Sequence, residues 1–324
     1  MEPSAREAYS TDHRDEIFAR LGIPFTAVRD LDGFENFVYR FEDTIIRVTH
    51  DSHRTPRQLL GELEFVNHLA EGGAAVARPL RWHDNEWYFS VGGFHVCRFG
   101  AAPGERLSYD TPFSPALIRA WGSAIGSFHR LASTFEPMHR RQDWQADENH
   151  DFRKRIPAGE RDVIEAGEAL LEQLGGLSQA SDGYGLIHSD AHAGNFYRDG
   201  NALTFFDFDD CLYTWFGYDL GTILFSAAYQ AYVEDSDEAR REVVQHFLQH
   251  FLAGYRQEHS PSALLLDHMQ RFIALREFSQ YAVIHAHMDV NNLAPGLAKK
   301  FYGGFRRRFA EGRPMVDIDF GRFA

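Results

Sequence analysis

The chain has 324 residues, 44% of them hydrophobic, enough to bury one large or two moderate cores, and two lobes fit that length best. Its formal net charge of −14 argues against general nucleic-acid binding, which needs clustered Lys and Arg to neutralise phosphates; an acidic surface instead steers cationic small molecules toward it. The two cysteines, Cys97 and Cys211, exclude a disulfide framework and a Cys-based zinc cluster. No run approaches the roughly 20 apolar residues of a membrane span, and the charged first twenty residues lack an apolar h-region, so the expectation is no membrane partner and a cytoplasmic location.

Residues 1–10 carry no periodic signal and are expected to be loosely ordered. Ser10 or Thr11 can cap a short amphipathic helix from Asp12 to Leu21 that stops at Gly22. From Phe25 to Val48 the residues alternate and are rich in Val, Ile, Phe and Tyr, which predicts three strands divided at Asp32 to Asn36 and at Glu42-Asp43. Thr55-Pro56 opens a helix to Glu71, stopped by Gly72-Gly73, with Leu59, Leu60, Leu63, Val66 and Leu69 on its core face. Pro79 to Phe99 supplies two or three further strands. Arg98 to Gly104 then turns to small residues and proline and reads as a linker.

Beyond Glu105 the period changes from 2 to 3.6. Ser114 to Ala132 is a helix with Trp121, Ile125, Phe128 and Leu131 on its buried side. Glu136 to Arg155 is polar and reads as an exposed insertion; His139 and His150 within it lack metal-ligand spacing. Ile164 to Leu174 is another helix, ended by Gly175-Gly176. The remainder reads as helices over Gly221 to Tyr232, Glu238 to Gln257, Ala263 to Met288 and Leu297 to Glu311, followed by an alternating tail, Met315 to Phe320. Tyr213, Trp215, Phe216 and Tyr218 are either core or a ligand-stacking wall. Glu277, Tyr281 and His285 repeat every four residues and give one helix face polar tips.

The chemistry concentrates between Leu186 and Asp210. Tyr184 to Ile187 reads as a buried strand, followed by the loop His188-x-Asp190-x-x-x-x-Asn195. Phe196 to Arg198 and Leu203 to Phe206 form a hairpin about Asp199-Gly200-Asn201, which ends at Asp207. Phosphoryl transfer to a hydroxyl needs an acceptor for the hydroxyl proton and oxygen ligands for Mg²⁺. An ordinary carboxylate, Asp190, serves the first need. A neutral amide oxygen beside one carboxylate, Asn195 with Asp207, suits an ion that prefers few protein ligands plus phosphate oxygens. His188 and His192 flank Asp190, but nothing beside them completes a zinc site; His188 is expected to brace the loop.

This ordered set, His188-x-Asp190-x-x-x-x-Asn195, a hairpin, Asp207-Phe208, then Tyr218-Asp219-Leu220, resembles the aminoglycoside phosphotransferase family, in the choline and homoserine kinase-like branch of the protein-kinase fold. The likeness runs from about Leu31 to the C-terminus. It implies an α+β, bilobal fold: a small antiparallel sheet lobe over residues 1–99, a hinge over 100–104, and a mainly helical lobe over 105–324. It implies ATP, with GTP as the other admissible nucleotide, together with Mg²⁺ and a small hydroxyl-bearing acceptor. Gly33 and Asn36 lie at the family's phosphate-covering loop, although a plain hairpin turn is equally compatible. Arg47 stands where kinases carry a strand lysine, a departure that keeps the charge and changes the geometry; the other option is a solvated, outward arginine. Glu62 is its implied partner, with Glu64 as the competitor. Arg98 and Gly100 fall in the segment that offers backbone groups to adenine, or in an ordinary linker. Asp209 is expected to assist Asn195 and Asp207 at the metal, Asp219 to brace the catalytic loop, and Asp210, Glu277, Tyr281 and His285 to face the acceptor. The span from Asp207 to Asp219 is too short for a long phosphorylatable activation segment, which favours a small acceptor. Two alternatives stay open: a protein Ser/Thr kinase of the related stress-response type, and a nucleotide-binding module without catalysis.

Overall fold

The computed structural model describes residues 3–33, 35–107, 113–231, 236–293 and 297–323. They form two compact units. One comprises Met1–Gly104, Phe135–Arg141 and Thr204–Asp209; the other comprises Glu105–Thr134, Gln142–Leu203 and Asp210–Ala324.

The smaller unit opens with α1 (Pro3–Ala8), where the sequence suggested no order, and α2 (Thr11–Leu21). Ser10 caps α2 by accepting the His13 N–H, and Gly22 ends it in the left-handed region. The antiparallel sheet uses β1 (Arg29–Asp30), β2 (Phe37–Phe41), β3 (Thr44–His50), β4 (Pro79–Leu80), β5 (Tyr88–Val91) and β6 (Phe94–Gly100) in the order β1-β2-β3-β6-β4, with β5 also on β6. Phe25 to Ala27 forms a short 3₁₀ turn where a strand was expected. The period of two sends Ile46 and Val48 into a core with Phe18, Tyr39, Phe94 and Val96. Cys97, paired across from Arg47, packs on the other face with Leu59 and Leu63 of α3 (Pro56–Glu71). Thr55 and Gln58 close a reciprocal capping box at the α3 N-terminus.

The segment expected as a hinge begins inside a strand. β6 continues through Gly100, whose N–H donates to Arg78 C=O at 2.9 Å, and Ala101 N–H donates to Asp43 C=O at 2.8 Å.

In the larger unit β7 (Glu105–Arg106) pairs with β9 (Phe196–Asp199), and β8 (Tyr184–Ile187) pairs antiparallel with β11 (Leu212–Trp215). After β9 the chain turns through Gly200, at φ 59°, into β10 (Ala202–Phe205). The helices are α4 (Pro115–Ala132), α5 (Phe152–Arg155), α6 (Arg161–Gly175), α7 (Phe216–Ala231), α8 (Asp237–Tyr255), α9 (Ala263–Asp267), α10 (Met269–His287) and α11 (Leu297–Glu311). The α4–α8 crossing is close because glycines face backbone: a Cβ on Gly122 would lie 2.0 Å from Phe251 O, and one on Gly254 1.9 Å from Arg119 O.

Three expectations need correcting. The helix drawn from Ala263 to Met288 is broken at His268, at φ −111°. The polar stretch 136–155 is not an exposed insertion, because Arg141, Trp144, His150 and Phe152 are buried. The helix expected to end at Tyr232 starts earlier, at Phe216, and Tyr232 itself lies outside the described residues. The alternating tail packs back on the larger unit as expected: Met315 and Val316 are buried, and their carbonyls accept from Arg240 Nε and Gln270 Nε2.

Candidate active site

In the larger unit, β8 delivers the loop from His188 to Asn195. Ser189 sits at φ 71°, a region that strains a side-chain-bearing residue and persists only where the surroundings hold it. Asp219, fully buried in the first turn of α7, supplies that hold: it accepts Ser189 N–H at 2.7 Å and His188 N–H at 3.3 Å. From the other side the Thr222 hydroxyl donates to Ser189 C=O at 3.3 Å. His129 of α4 lies 3.2 Å from the Asp219 carboxylate through Nε2 and 2.8 Å from the Tyr255 hydroxyl through Nδ1. A carboxylate only accepts, so Nε2 carries the proton and Nδ1 accepts from the tyrosine.

Asp190 is half-buried and held on three sides. Asn195 Nδ2 donates to Asp190 Oδ2 and to its backbone oxygen, both at 2.9 Å. Those bonds occupy both amide hydrogens, so Asn195 Oδ1 is left as an acceptor or a metal ligand. His192 Nδ1 accepts Gly194 N–H at 2.9 Å, which places the ring proton on Nε2, 3.3 Å from Asp190 Oδ2. Arg276, from α10, donates Nη2 to Asp190 Oδ1 at 2.6 Å. Burial works to raise the Asp190 pKa, but His192, Arg276 and His188 outweigh it and hold the carboxyl well below its ordinary range. It is therefore ionised at neutral pH and a weak base. His188 braces the loop through Nδ1, which accepts Asp190 N–H at 3.4 Å.

In the smaller unit, Arg47 and Glu62 form a two-pronged pair, Nη1 to Oε1 at 2.8 Å and Nη2 to Oε2 at 2.6 Å, with Arg47 5% and Glu62 0% exposed. Burial opposes the Arg47 charge and Glu62 more than offsets it, so the guanidinium stays charged. The competitor, Glu64, accepts instead from the backbone of Met138 and His139 and from His139 Nδ1 at 2.6 Å. The solvated, outward reading of Arg47 is thereby excluded.

Gly33 is required by the turn itself: a Cβ there would lie 2.3 Å from Asn36 O. Asn36 is buried, accepting from Thr49 Oγ1 at 2.7 Å and donating to Asp209 Oδ2 at 3.1 Å. Asp209 also receives His53 Nε2 at 2.5 Å and faces Arg54 Nε at 3.3 Å, while its carbonyl accepts from Arg141 Nη2 at 2.7 Å. Burial would raise its pKa, but Arg54, His53 and Arg47 take it well below the ordinary value. Glu35, His53 and Asp209 bring ligand atoms within 4.8 Å of one another, with Arg54 against the same Asp209 carboxylate. Asn36, His53 and Arg54 thus hold the Asp209 carboxylate in place. The Arg98 side chain donates to Arg81 C=O and lies over the Trp82 ring, 4.4 Å from its centroid. Asp207 is exposed at φ 65°, and Asp210 is half-buried in the turn that follows.

The stripe expected to face the acceptor is buried instead. Glu277 pairs with Arg308 of α11, with Nε to Oε1 at 2.7 Å. Tyr281 donates to Glu160 Oε2 at 2.5 Å and stacks on Tyr302 at 5.2 Å, and His285 lies 3.2 Å from the Tyr302 hydroxyl. The face of α10 that reaches the loop is one residue earlier, at Arg276, which the sequence reading missed. An arginine between the apolar Leu275 and, two places on, Phe278 was the available signal.

A sheet-bound Arg–Glu pair and an aspartate loop that aims an amide oxygen are the parts of a phosphotransferase of the protein-kinase-like fold. Residues 26–261 match the phosphotransferase enzyme family, APH, and the chain belongs to that family. It is 31% identical over 317 residues to the amicoumacin kinase of Bacillus subtilis (strain 168), covering 94% of this chain and 93% of the relative. The solved structure of amicoumacin kinase hAmiN in complex with AMP-PNP, Ca²⁺ and Ami matches all of both chains with a TM-score of 0.91 at 25% identity. A microcompartment-associated aminopropanol kinase shares the fold, with a TM-score of 0.66 at 20% identity over 88% of this chain and 92% of that one. The chain is accordingly a kinase that uses ATP and Mg²⁺ to phosphorylate an alcohol group of a small molecule. Among the described residues no helix is long and apolar enough to cross a membrane.

Proposed function

We propose that the acceptor is an amine-bearing small molecule of the amicoumacin or amino-alcohol type, with Asp190 orienting its hydroxyl, Asn195 and Asp207 holding Mg²⁺, and Arg47, set by Glu62, facing the nucleotide phosphates. The observation that carries the residue roles is the Asn195 amide, whose nitrogen is fully engaged by Asp190 so that its hard, neutral oxygen is the atom left for a cation. Bound Mg²⁺ supplies neutralisation of the charge that builds on the transferred phosphoryl group. Asp190 contributes orientation: its ionised carboxylate accepts the hydroxyl hydrogen and turns the oxygen lone pair toward the phosphorus. Support for the acceptor class comes from the net charge of −14, which draws cations, and from the similarity to amicoumacin kinases.

The test is ADP release with amicoumacin, aminopropanol, choline and homoserine as acceptors. At least one amine is expected to stimulate turnover, and Asp190→Ala to abolish it. MgATP at about 100 times its dissociation constant should still stabilise that variant by about 2.7 kcal/mol in thermal unfolding. Full turnover in Asp190→Ala sinks the residue assignment. Phosphate incorporated into protein bands of a lysate, with no amine phosphorylated, sinks the acceptor class.

A further inference from the structure

Around Asp190 the donors are unevenly divided. A carboxylate offers about two lone pairs on each oxygen. Oδ2 already receives Asn195 Nδ2 at 2.9 Å and faces the His192 Nε2–H at 3.3 Å, whereas Oδ1 receives, among the described residues, Arg276 Nη2 alone, at 2.6 Å. Among the described residues, the position on this carboxylate left open to a hydroxyl hydrogen is therefore on Oδ1, beside the arginine. Arg276 is itself confined: its side chain is 19% exposed and interacts with the buried Tyr218 hydroxyl, which donates to Ser279 Oγ at 3.4 Å.

From this geometry we propose that Arg276 is a positioning residue for phosphoryl transfer: it fixes the rotation of the Asp190 carboxylate so that Oδ1 presents its free lone pair to the acceptor hydroxyl. The proposal rests on Asp190 being the residue that orients the acceptor. Without Arg276 the carboxylate remains tethered through Oδ2 but swings about that tether, so the fraction of time in the reactive orientation falls. The loss is expected in kcat, since the partners of Arg276 among the described residues are Asp190 and Tyr218.

Water can stand in for the acceptor, so the test is the rate of MgATP hydrolysis without added alcohol, in wild type, Asp190→Asn, Arg276→Met, Arg276→Lys and the double variant Asp190→Asn with Arg276→Met. Expected are a kcat lowered about 10-fold in Arg276→Met and about 3-fold in Arg276→Lys, a KM for MgATP within about twofold throughout, and a double variant no slower than Asp190→Asn alone. A rate in Arg276→Met within twofold of wild type, or losses that multiply in the double variant, overturns the proposal while leaving Asp190 in its role. Wild-type turnover in Asp190→Asn overturns both. If Arg276→Met does not fold, Arg276→Gln replaces it in the same comparison with the same thresholds.

Discussion

At the scale of single residues, the two glutamates of α3 illustrate how placement decides worth. Glu62→Gln leaves the Arg47 charge buried without its counterion and is expected to cost about 3 kcal/mol or more, whereas Glu64→Gln, which loses part of one partly exposed contact with His139, should cost about 1 kcal/mol. Urea titrations of the two variants measure the difference, and equal losses would contradict the assigned pairing. Cys97 gives a second expectation. Burial pushes its thiol pKa up to about 11, so at pH 8 it is protonated as well as inaccessible. The native protein should leave both Cys97 and Cys211 unmodified by a thiol reagent, and the urea-unfolded chain should titrate both. The sequence was informative about residues whose chemistry depends on short spacing, such as Asp190, Asn195 and the loop that joins them. It was not informative about Arg276, eighty-six positions from Asp190, nor about the anchoring of Asp209 by Asn36 and His53, because those depend on which distant elements meet.

At the scale of elements, caps were legible because they are local: Thr55 with Gln58 and Ser10 before α2 satisfy backbone groups within one turn. Apolar helix faces were legible as well, Leu59, Leu63, Val66 and Leu69 on α3 and Trp121, Ile125 and Phe128 on α4 being buried, but the polar stripe of α10 was not. The stripe Glu277, Tyr281, His285 is a true periodic face, but only the presence of α11, with Arg308 and Tyr302, turns it into an interior one. Likewise the break at His268 has no proline or glycine to announce it. The α4–α8 crossing yields a prediction of its own. Gly254→Ala forces a methyl into the Arg119 carbonyl, with backbone on both sides and no flexible side chain to give way, so it should destabilise by about 2 to 3 kcal/mol. The same change at Gly303, where a Cβ meets nothing within 4 Å, removes only backbone freedom in a helix and should stabilise by about 0.5 to 1 kcal/mol. Thermal unfolding of the two variants checks the contrast, and similar shifts in both would refute the packing argument.

At the scale of the whole molecule, the net charge of −14 makes a prediction about encounter. Raising ionic strength from ~0.01 M to ~0.15 M shortens the screening length from about 30 Å to about 8 Å. The KM of a cationic acceptor should rise across that range while that of a neutral acceptor stays flat, and parallel behaviour of the two would remove charge steering from the account. The sequence placed the boundary near Gly104 and so made the first unit continuous, but its structure takes in Phe135–Arg141 and Thr204–Asp209 as well. Arg141 there ties Gln58 to Asp209, His139 answers Glu64, and Phe205 lies along Ala75 and Ala77. On a ribosome, then, the sheet that is made first must wait for residue 209 before its last donors and acceptors find each other. An isolated piece ending at Gly104 should accordingly melt without a cooperative transition, however complete its strands look on paper.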